Sequence, residues 1–363
     1  MSTRRYNFSS GPATLPEEVL RNAQQAIWDL DGSGIGILEH SHRGKEFERV
    51  LERTEAAIRE VGHIGDEFAI LFVTAGATHH FAMVPENFLG AEDTADYCDS
   101  GVWSGKAIKE ARRFGSVHVA SSSGPDHDVT PTEVAWSSSP RYVHYTSNET
   151  IYGTQWASPP SAPAPLVCDA SSDIFSRPLG LENHALIYAG AQKNLGPSGI
   201  SLVIARRDFV RKTVRELSPL ARYQTYVEER SLHNTPNTFG IYVIGQVVEW
   251  IRSQGGLAEM AGRNSHKATL LYDFLDQSKV WRGHARLHSR STMNITFRGA
   301  TREIEERLLI CAEERSLYGL RGHRSVGGLR ASIYNAFPES GVRRLIELLD
   351  ELEHDRSSVA MPG

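Results

Sequence analysis

The chain has 363 residues, 40% of them hydrophobic, and its 39 Lys and Arg against 44 Asp and Glu give a formal net charge of −5. This length and composition predict a globular protein with a sizeable buried core, divided into two or three domains. A mildly acidic chain disfavours nucleic acid as the main partner, because nucleic acids bind clusters of Lys and Arg. We therefore expect a small-molecule ligand.

The cysteines and the apolar runs indicate the cellular compartment. Cys98, Cys168 and Cys311 are far apart and odd in number, so they encode neither a disulfide framework nor a thiolate metal site. No apolar run approaches the ~18 residues that a membrane helix needs, and no signal-peptide pattern follows the basic N-terminus. These features predict a cytoplasmic protein that is neither exported nor attached to a membrane.

The first two thirds of the chain alternate β-rich runs with helical patterns. Strands are predicted at 68–73, 94–98, 117–120, 142–145, 166–168, 185–189 and 200–205, and helices from about 78, at 103–114, 241–253 and 257–277. Most of the strands are continuous apolar runs, which is typical of strands covered on both faces. The pattern predicts an α/β fold with a mostly parallel sheet, which binds ligands at the carboxyl ends of its strands.

The pattern changes near residue 280. Strands at 292–297 and 329–334 alternate with helices at 301–314 and 339–352, which predicts a smaller α+β domain at the C-terminus.

Two other motifs do not match a known binding site. The glycines at 32–36 do not fit the dinucleotide fingerprint, so a nicotinamide enzyme is disfavoured. The histidines at 40–42 and 79–80 lack the i, i+4 spacing of a helical zinc site, so no metal is expected.

Two apolar strands each lead into a charged residue. Asp169 follows strand 166–168, and Lys193 follows strand 185–189 in a turn of small residues. Desolvation in an apolar setting would lower the pKa of Lys193 and make it a Schiff-base nucleophile, although a lysine can also reach solvent along an apolar stem. An Asp at a strand end is often only a helix cap. Together, however, the two residues form the pair that pyridoxal phosphate requires.

Other residues at strand ends fit the same cofactor. Trp103 opens a helix and is placed to stack on a pyridine ring. Taken alone, however, it could equally be a tryptophan buried in the core. Thr150 is placed to bond the ring hydroxyl, and residues 75–78 offer small side chains and free N–H groups at a helix start, which suit a phosphate. The sequence therefore predicts a pyridoxal phosphate site.

Several blocks of the sequence resemble the phosphoserine aminotransferases, a family of class-V, fold-type I pyridoxal phosphate enzymes. They are residues 7–13, 41–47, 94–97, 148–151, 188–194, 234–236 and 322–336, of which the last is the most specific. The resemblance implies a large domain with a mostly parallel seven-stranded sheet between helices. It also implies an N-terminal arm, 1–15, packed with the small domain, a large cofactor domain, 16–265, and a small C-terminal domain, 266–363.

The resemblance also implies a role for each site residue. Lys193 would hold one pyridoxal 5′-phosphate per subunit as a Schiff base and shuttle the substrate proton. The other implied cofactor contacts are Asp169 with the ring nitrogen, Trp103 with the ring face, Thr150 with the ring oxygen, and Ala77, Thr78 and Gln192 with the phosphate. Asn234 and Thr235 would reach the phosphate from the second subunit of a homodimer. Arg330 would bind the substrate α-carboxylate, and His42, Arg43, His323 and Arg324 its distal anion.

The implied reaction moves the amino group of L-glutamate to 3-phosphohydroxypyruvate by a ping-pong route through the pyridoxal and pyridoxamine forms of the cofactor. It would serve serine biosynthesis, and a related reaction on 4-phosphohydroxy-L-threonine would serve pyridoxine biosynthesis. The alternatives are an alanine or serine–glyoxylate aminotransferase and a cysteine desulfurase. A desulfurase usually has His before its lysine, whereas Gln192 precedes Lys193 here. The chain also departs from the family pattern at Thr78, His80 and Asn237.

Overall fold

The computed structural model describes residues 4–357, without side chains beyond Asp355. Residues 1–3 of the predicted arm and 358–363 of the predicted small domain lie outside the described residues. The strands are β1 (Tyr6–Asn7), β2 (Phe68–Val73), β3 (Thr94–Asp99), β4 (Ser116–Ser122), β5 (Val143–Thr146), β6 (Asn148–Glu149), β7 (Thr154–Gln155), β8 (Leu166–Asp169), β9 (His184–Gly190), β10 (Ser201–Arg206), β11 (Trp281–Gly283), β12 (Asn294–Gly299), β13 (Leu317–Tyr318) and β14 (Leu329–Ser332).

The helices alternate with these strands over most of the chain. They are α1 (Glu17–Trp28), α2 (Lys45–Gly62), α3 (Ala77–Phe88), α4 (Val102–Ala111), α5 (Arg207–Val210), α6 (Tyr223–Glu228), α7 (Thr238–Ser253), α8 (Gly256–Gln277), α9 (Arg302–Glu314) and α10 (Glu339–Ser357). In the described part of the chain, none of the helices is long and apolar enough to cross a membrane.

A seven-stranded sheet with the order β2-β10-β9-β8-β5-β3-β4 forms the centre of the larger part. Only β10 runs against its neighbours β2 and β9, and the other pairs are parallel. β2 and β9 are buried along their whole length, because helices cover both faces of the sheet. The predicted α/β fold with a mostly parallel seven-stranded sheet is confirmed.

Successive residues of each strand enter opposite apolar layers. In β2, Ile70 packs in the layer that contains Phe47 of α2, while its neighbour Leu71 packs with Phe81 of α3 and Ile108 of α4. The unbroken apolar run of the strand is therefore explained by two helix layers, one on each side of the sheet.

The smaller part contains an antiparallel sheet, β11-β12-β14, that packs against α9, α10 and the second half of α8. Strand β1 pairs in parallel with β13, and Phe8 lies in the same apolar core. Helix α8 is continuous across the predicted domain boundary at 265/266: Met260 belongs to the large core, and Leu271 belongs to the small one. The division into domains at that residue stays a prediction.

Buried asparagines join the two parts next to the sheet. Asn148 Nδ2 donates to Asn294 Oδ1 at 2.8 Å, and the backbone N–H of Asn335 donates to Asn194 Oδ1 at 3.1 Å. Asn264 Nδ2 in turn donates to Asn335 Oδ1 at 2.8 Å. Because hydrogen bonds between buried polar groups favour one arrangement, these contacts hold β12 against β6 and the segment after β14 against the turn that follows β9.

Candidate active site

A cavity of about 330 Å³ lies at the carboxyl ends of the parallel strands. Its wall comes from the segments after β2, β3, β5, β8 and β9, together with the smaller part and the N-terminal arm. Nine of the predicted site residues line it, namely Ala77, Thr78, Trp103, Thr150, Asp169, Gln192, Lys193, His323 and Arg330. The cavity therefore lies where an α/β sheet binds ligands, and its volume suits a small molecule.

Lys193 lies in the turn after β9, opposite the segment that carries Thr150. Its Nζ donates to Thr150 Oγ1 at 3.1 Å and lies 5.7 Å from the centroid of the Trp103 ring. Burial lowers the pKa of Lys193, and the carboxyl groups of Asp169 and Glu149 partly oppose this shift. A lysine with a lowered pKa presents a larger fraction of neutral, nucleophilic amine.

Asp169 is the last residue of β8 and is 4% exposed. Its Oδ1 accepts hydrogen bonds from the N–H of Ser171 at 3.0 Å and from the Ser171 hydroxyl at 2.5 Å. Burial raises the pKa of Asp169, while the bonds from Ser171 and the charge of Lys193 oppose the rise. A buried carboxylate in this position is stabilised by a cationic ligand group in the cavity.

Arg330 projects from β14 and is 7% exposed. One terminal nitrogen donates to the hydroxyl of Ser10 at 2.8 Å, whereas its Nε is buried without a hydrogen-bond partner. Burial lowers the pKa of Arg330, and Tyr334 and Glu149 oppose this shift. The guanidinium thus has an unused donor beside the cavity and suits a ligand carboxylate.

Positive charges gather around His323, at the edge of the cavity. Burial lowers the pKa of His323, and the nearby charges of Arg330, Arg324 and Lys106 lower it further. Arg324 lies outside the first cavity, in a neighbouring one of about 520 Å³ that shares His323 with it. The Lys106 ammonium lies 4.3 Å from the Trp103 ring centroid. This cluster favours an anionic ligand group.

Besides Arg324, four predicted site residues do not line the cavity. They are His42, Arg43, Asn234 and Thr235. Arg43, Asn234 and Thr235 are exposed, and His42 is half-buried with an unpartnered Nε2. Their roles stay predictions.

Sequence reasoning assigned no role to several residues of the cavity and its surroundings. Ser10, Thr146 and Ser171 line the cavity, and Glu149 lies behind its wall with 1% exposure. A signal existed for two of them, because Ser10 and Glu149 stand in sequence blocks that resemble the family. His80, which departs from the family pattern, is buried between Tyr223 and Ser201 with a 2.7 Å bond to each.

The residues around the cavity fit pyridoxal phosphate. Besides the amine of Lys193 and the carboxyl of Asp169, several buried polar atoms in its wall lack any hydrogen-bond partner: Trp103 Nε1, Thr146 Oγ1, Gln192 Oε1 and Arg330 Nε. Unsatisfied buried polar groups are rare in native proteins and commonly bind a ligand or water. Among residues 4–357, no group of three or more His, Cys, Asp or Glu side chains is arranged to bind a metal ion. The fold and this site define a pyridoxal phosphate-dependent aminotransferase of fold type I.

Similarity to known proteins assigns the chain to one family within this class. The family described as Aminotransferase class-V matches residues 5–345. A phosphoserine aminotransferase of Herpetosiphon aurantiacus is 47% identical over 95% of this chain and 97% of that protein. The solved phosphoserine aminotransferase of Bacillus circulans subsp. alkalophilus is 44% identical, with a TM-score of 0.95 over 98% of this chain and 100% of that one.

A third relative is a structure of phosphoserine aminotransferase with bound pyridoxal phosphate, from Trichomonas vaginalis. It is 34% identical, with a TM-score of 0.92, and the match covers 96% of this chain and 100% of that one. The chain belongs to the phosphoserine aminotransferase family within the class-V aminotransferases.

Proposed function

We propose that this protein transfers the amino group of L-glutamate to 3-phosphohydroxypyruvate, which gives O-phospho-L-serine and 2-oxoglutarate and serves serine biosynthesis. The observation that carries the proposal is the convergence of Lys193, Asp169 and Arg330 on one cavity, in a chain 47% identical to a phosphoserine aminotransferase. The proposal extends to 4-phosphohydroxy-L-threonine in pyridoxine biosynthesis, and to a cytoplasmic location.

Different residues in the wall of the cavity bind different parts of the cofactor. Asp169 would pair with the ring nitrogen, Trp103 would cover the ring face, and Thr150 would bond the ring oxygen. Ala77, Thr78 and Gln192 hold the phosphate: Ala77 and Thr78 begin α3, where free N–H groups favour an anion. Gln192 would bind the phosphate through its amide NH₂ group, because the amide oxygen only accepts hydrogen bonds.

When bound, pyridoxal phosphate supplies an aldehyde that condenses with amines and a ring that withdraws electrons from the amine-bearing carbon. Lys193 Nζ holds the cofactor between turnovers, and afterwards carries the proton away from the substrate α-carbon. The lowered pKa of Lys193 supports this role, because a base works best when its pKa is near the working pH.

The substrate is held by its two anionic ends. Arg330 binds the α-carboxylate with the edge that contains its unpartnered Nε. His323 and Arg324, with His42 and Arg43, bind the phosphate of one substrate and the side-chain carboxylate of glutamate. The positive charges around His323 support this assignment, since a substrate with no distal anion would not need them.

The proposal includes a homodimer in which Asn234 and Thr235 complete the neighbouring cofactor site. Both residues are exposed and outside the cavity of their own chain. Large apolar side chains are also exposed on and after α1: Trp28 is 82% exposed, and Leu38 is 59% exposed. Large apolar side chains with this much exposure support an interface between subunits. Light scattering tests it, because a monomer at 40.2 kDa would contradict a shared site.

A coupled assay tests the whole proposal. The purified protein should be yellow, lose its absorption band with borohydride, and form 2-oxoglutarate from glutamate over many turnovers only when 3-phosphohydroxypyruvate is present. Lys193→Ala should lack the band and the activity. A wild type that stays colourless with added pyridoxal phosphate would contradict the cofactor site.

Pyruvate and glyoxylate as amino acceptors separate the proposed reaction from that of a small-substrate aminotransferase. They should react far more slowly than 3-phosphohydroxypyruvate, because they leave the distal cations unpaired. Equal rates would favour the small-substrate enzyme instead. A cysteine desulfurase is disfavoured by Cys98 and Cys168, which are buried, and by Cys311, which lies within α9.

A further inference from the structure

A buried carboxyl group, Glu149, lies behind the wall of the cavity. Its Oε2 accepts a hydrogen bond from the backbone N–H of Trp103 at 3.1 Å, and its Oε1 accepts one from the N–H of Ile151 at 3.2 Å. The first bond reaches the start of α4, and the second stays in the segment that contains Thr150. One side chain thus joins the two segments that place Trp103 and Thr150 around Lys193.

The chain makes room for this carboxyl group at Gly101. That residue has φ +149°, and a Cβ atom there would lie 2.8 Å from Glu149 Cγ and 2.9 Å from Oε2. Only glycine adopts this backbone conformation easily and leaves the space open. The carboxyl group also lies at the N-terminus of α4, where the helix dipole favours a negative charge.

Charged and titratable groups face Glu149 from the elements around it. They are Lys193 after β9, Asp169 at the end of β8, Arg330 on β14, and Tyr152 in the turn before β7. Three carboxyl groups, those of Asp169, Glu149 and Asp173, favour the charged form of Lys193, whereas the charge of Arg330 opposes it. Burial raises the pKa of Glu149 to about 7, although the two N–H bonds and the charge of Lys193 oppose this rise. The group is thus sensitive to charge in the cavity near neutral pH.

We infer that Glu149 is a positioning residue that holds Trp103 in place and stabilises the protonated nitrogen of Lys193. The inference rests on the proposed function only in requiring pyridoxal phosphate at Lys193. Asp169 and Glu149 then have separate roles. Asp169 lines the cavity and pairs with the cofactor ring, whereas Glu149 acts from behind the wall through Trp103 and Lys193.

Replacing Glu149 by glutamine removes the charge with almost no change of shape. The nitrogen of Lys193 loses a negative partner, so its pKa should fall. Both oxygens of Glu149 accept a backbone N–H, whereas the glutamine amide accepts only through its one oxygen. Its NH₂ group therefore meets the other backbone N–H, and two donors face each other. A buried N–H without an acceptor is destabilising, so the start of α4 and Trp103 should shift.

The test compares cofactor-loaded wild type and Glu149→Gln by absorption and circular dichroism across pH. We expect the midpoint of the pH-dependent change in the cofactor spectrum to fall by about one pH unit in the variant. The circular dichroism of the cofactor band should weaken, because the ring loses a fixed stacking partner. Asp96→Asn is the matched control. Asp96 is 0% exposed and accepts a bond from the N–H of Ser137 at 2.8 Å, but it lies within β3 and does not line the cavity.

The outcomes separate this inference from the proposed function. A wild type without a cofactor band contradicts the proposed function, whereas a normal wild type with an unchanged midpoint in Glu149→Gln overturns the inference. An equal fall in Asp96→Asn would also overturn it, as a general effect of neutralising a buried carboxyl group.

If Glu149→Gln does not fold, Glu149→Asp provides the test, because it keeps the charge on a side chain shorter by one methylene. Its midpoint should stay near that of the wild type, while the circular dichroism of the cofactor band weakens. A midpoint that falls by a full unit in Glu149→Asp, or an unchanged band, would contradict the two roles.

Discussion

Replacing Arg330 by lysine tests the proposed substrate anchor, because lysine keeps the charge and loses the planar pair of donors. Arg330 has one nitrogen bonded to Ser10 and a buried Nε without a partner, so a carboxylate can bind through two parallel bonds. A lysine would make one such bond. A charge-assisted bond contributes about 1.5–3 kcal/mol, and each ~1.4 kcal/mol is a factor of ten. We therefore expect the KM for glutamate to rise roughly 10- to 150-fold.

Steady-state kinetics with glutamate and with 2-oxoglutarate measure this effect, and the absorption spectrum of the cofactor should stay unchanged. Arg206→Lys is the matched control, because Arg206 bonds Asp208 through two of its nitrogens, at 3.1 Å each, and lines neither cavity. Its KM values should equal those of the wild type. A KM for glutamate that stays within twofold in Arg330→Lys would refute the assignment of Arg330 as the carboxylate anchor.

Three further predictions concern the distal pocket and the surroundings of Glu149. Arg324→Ala should raise the KM for 3-phosphohydroxypyruvate by about tenfold or more, and leave pyruvate unaffected; equal losses would place Arg324 outside the pocket. Gly101→Ala should lower the free energy of unfolding by about 1–3 kcal/mol, because its Cβ meets Glu149, whereas Gly105→Ala, with nothing within 4 Å, should not. The pKa of Glu149 rises on folding from 4.5 to about 7, so its contribution to stability is complete below about pH 4.5 and is lost as the pH rises through about 7. Between about pH 5.5 and 8.5 the cofactor-free wild type should lose about 2 kcal/mol more stability than Glu149→Gln; identical pH profiles would contradict the raised pKa.

The sequence alone determined the architecture of the large part and the residues at its strand ends. Strands that are continuous apolar runs, such as β2 and β9, must be buried on both faces. This can be inferred from the residues of each strand alone. Lys193 and Asp169 were found because a charge directly after a buried strand is unusual and a parallel sheet collects its strand ends at one edge. The helix that contains Trp103 was predicted at 103–114 and ends at Ala111 instead, since helix ends depend on local hydrogen bonds.

Only the tertiary structure decided which distant residues meet at the site. The bond from Arg330 to Ser10 joins residues 320 positions apart, and Glu149 accepts from Trp103 across 46 positions; no local pattern records such contacts. The same holds for α8, whose single helical pattern gives no sign that its two halves enter different cores. Sequence periodicity reports which face of an element is buried, but the partner on that face is fixed by packing and by buried hydrogen bonds between distant segments.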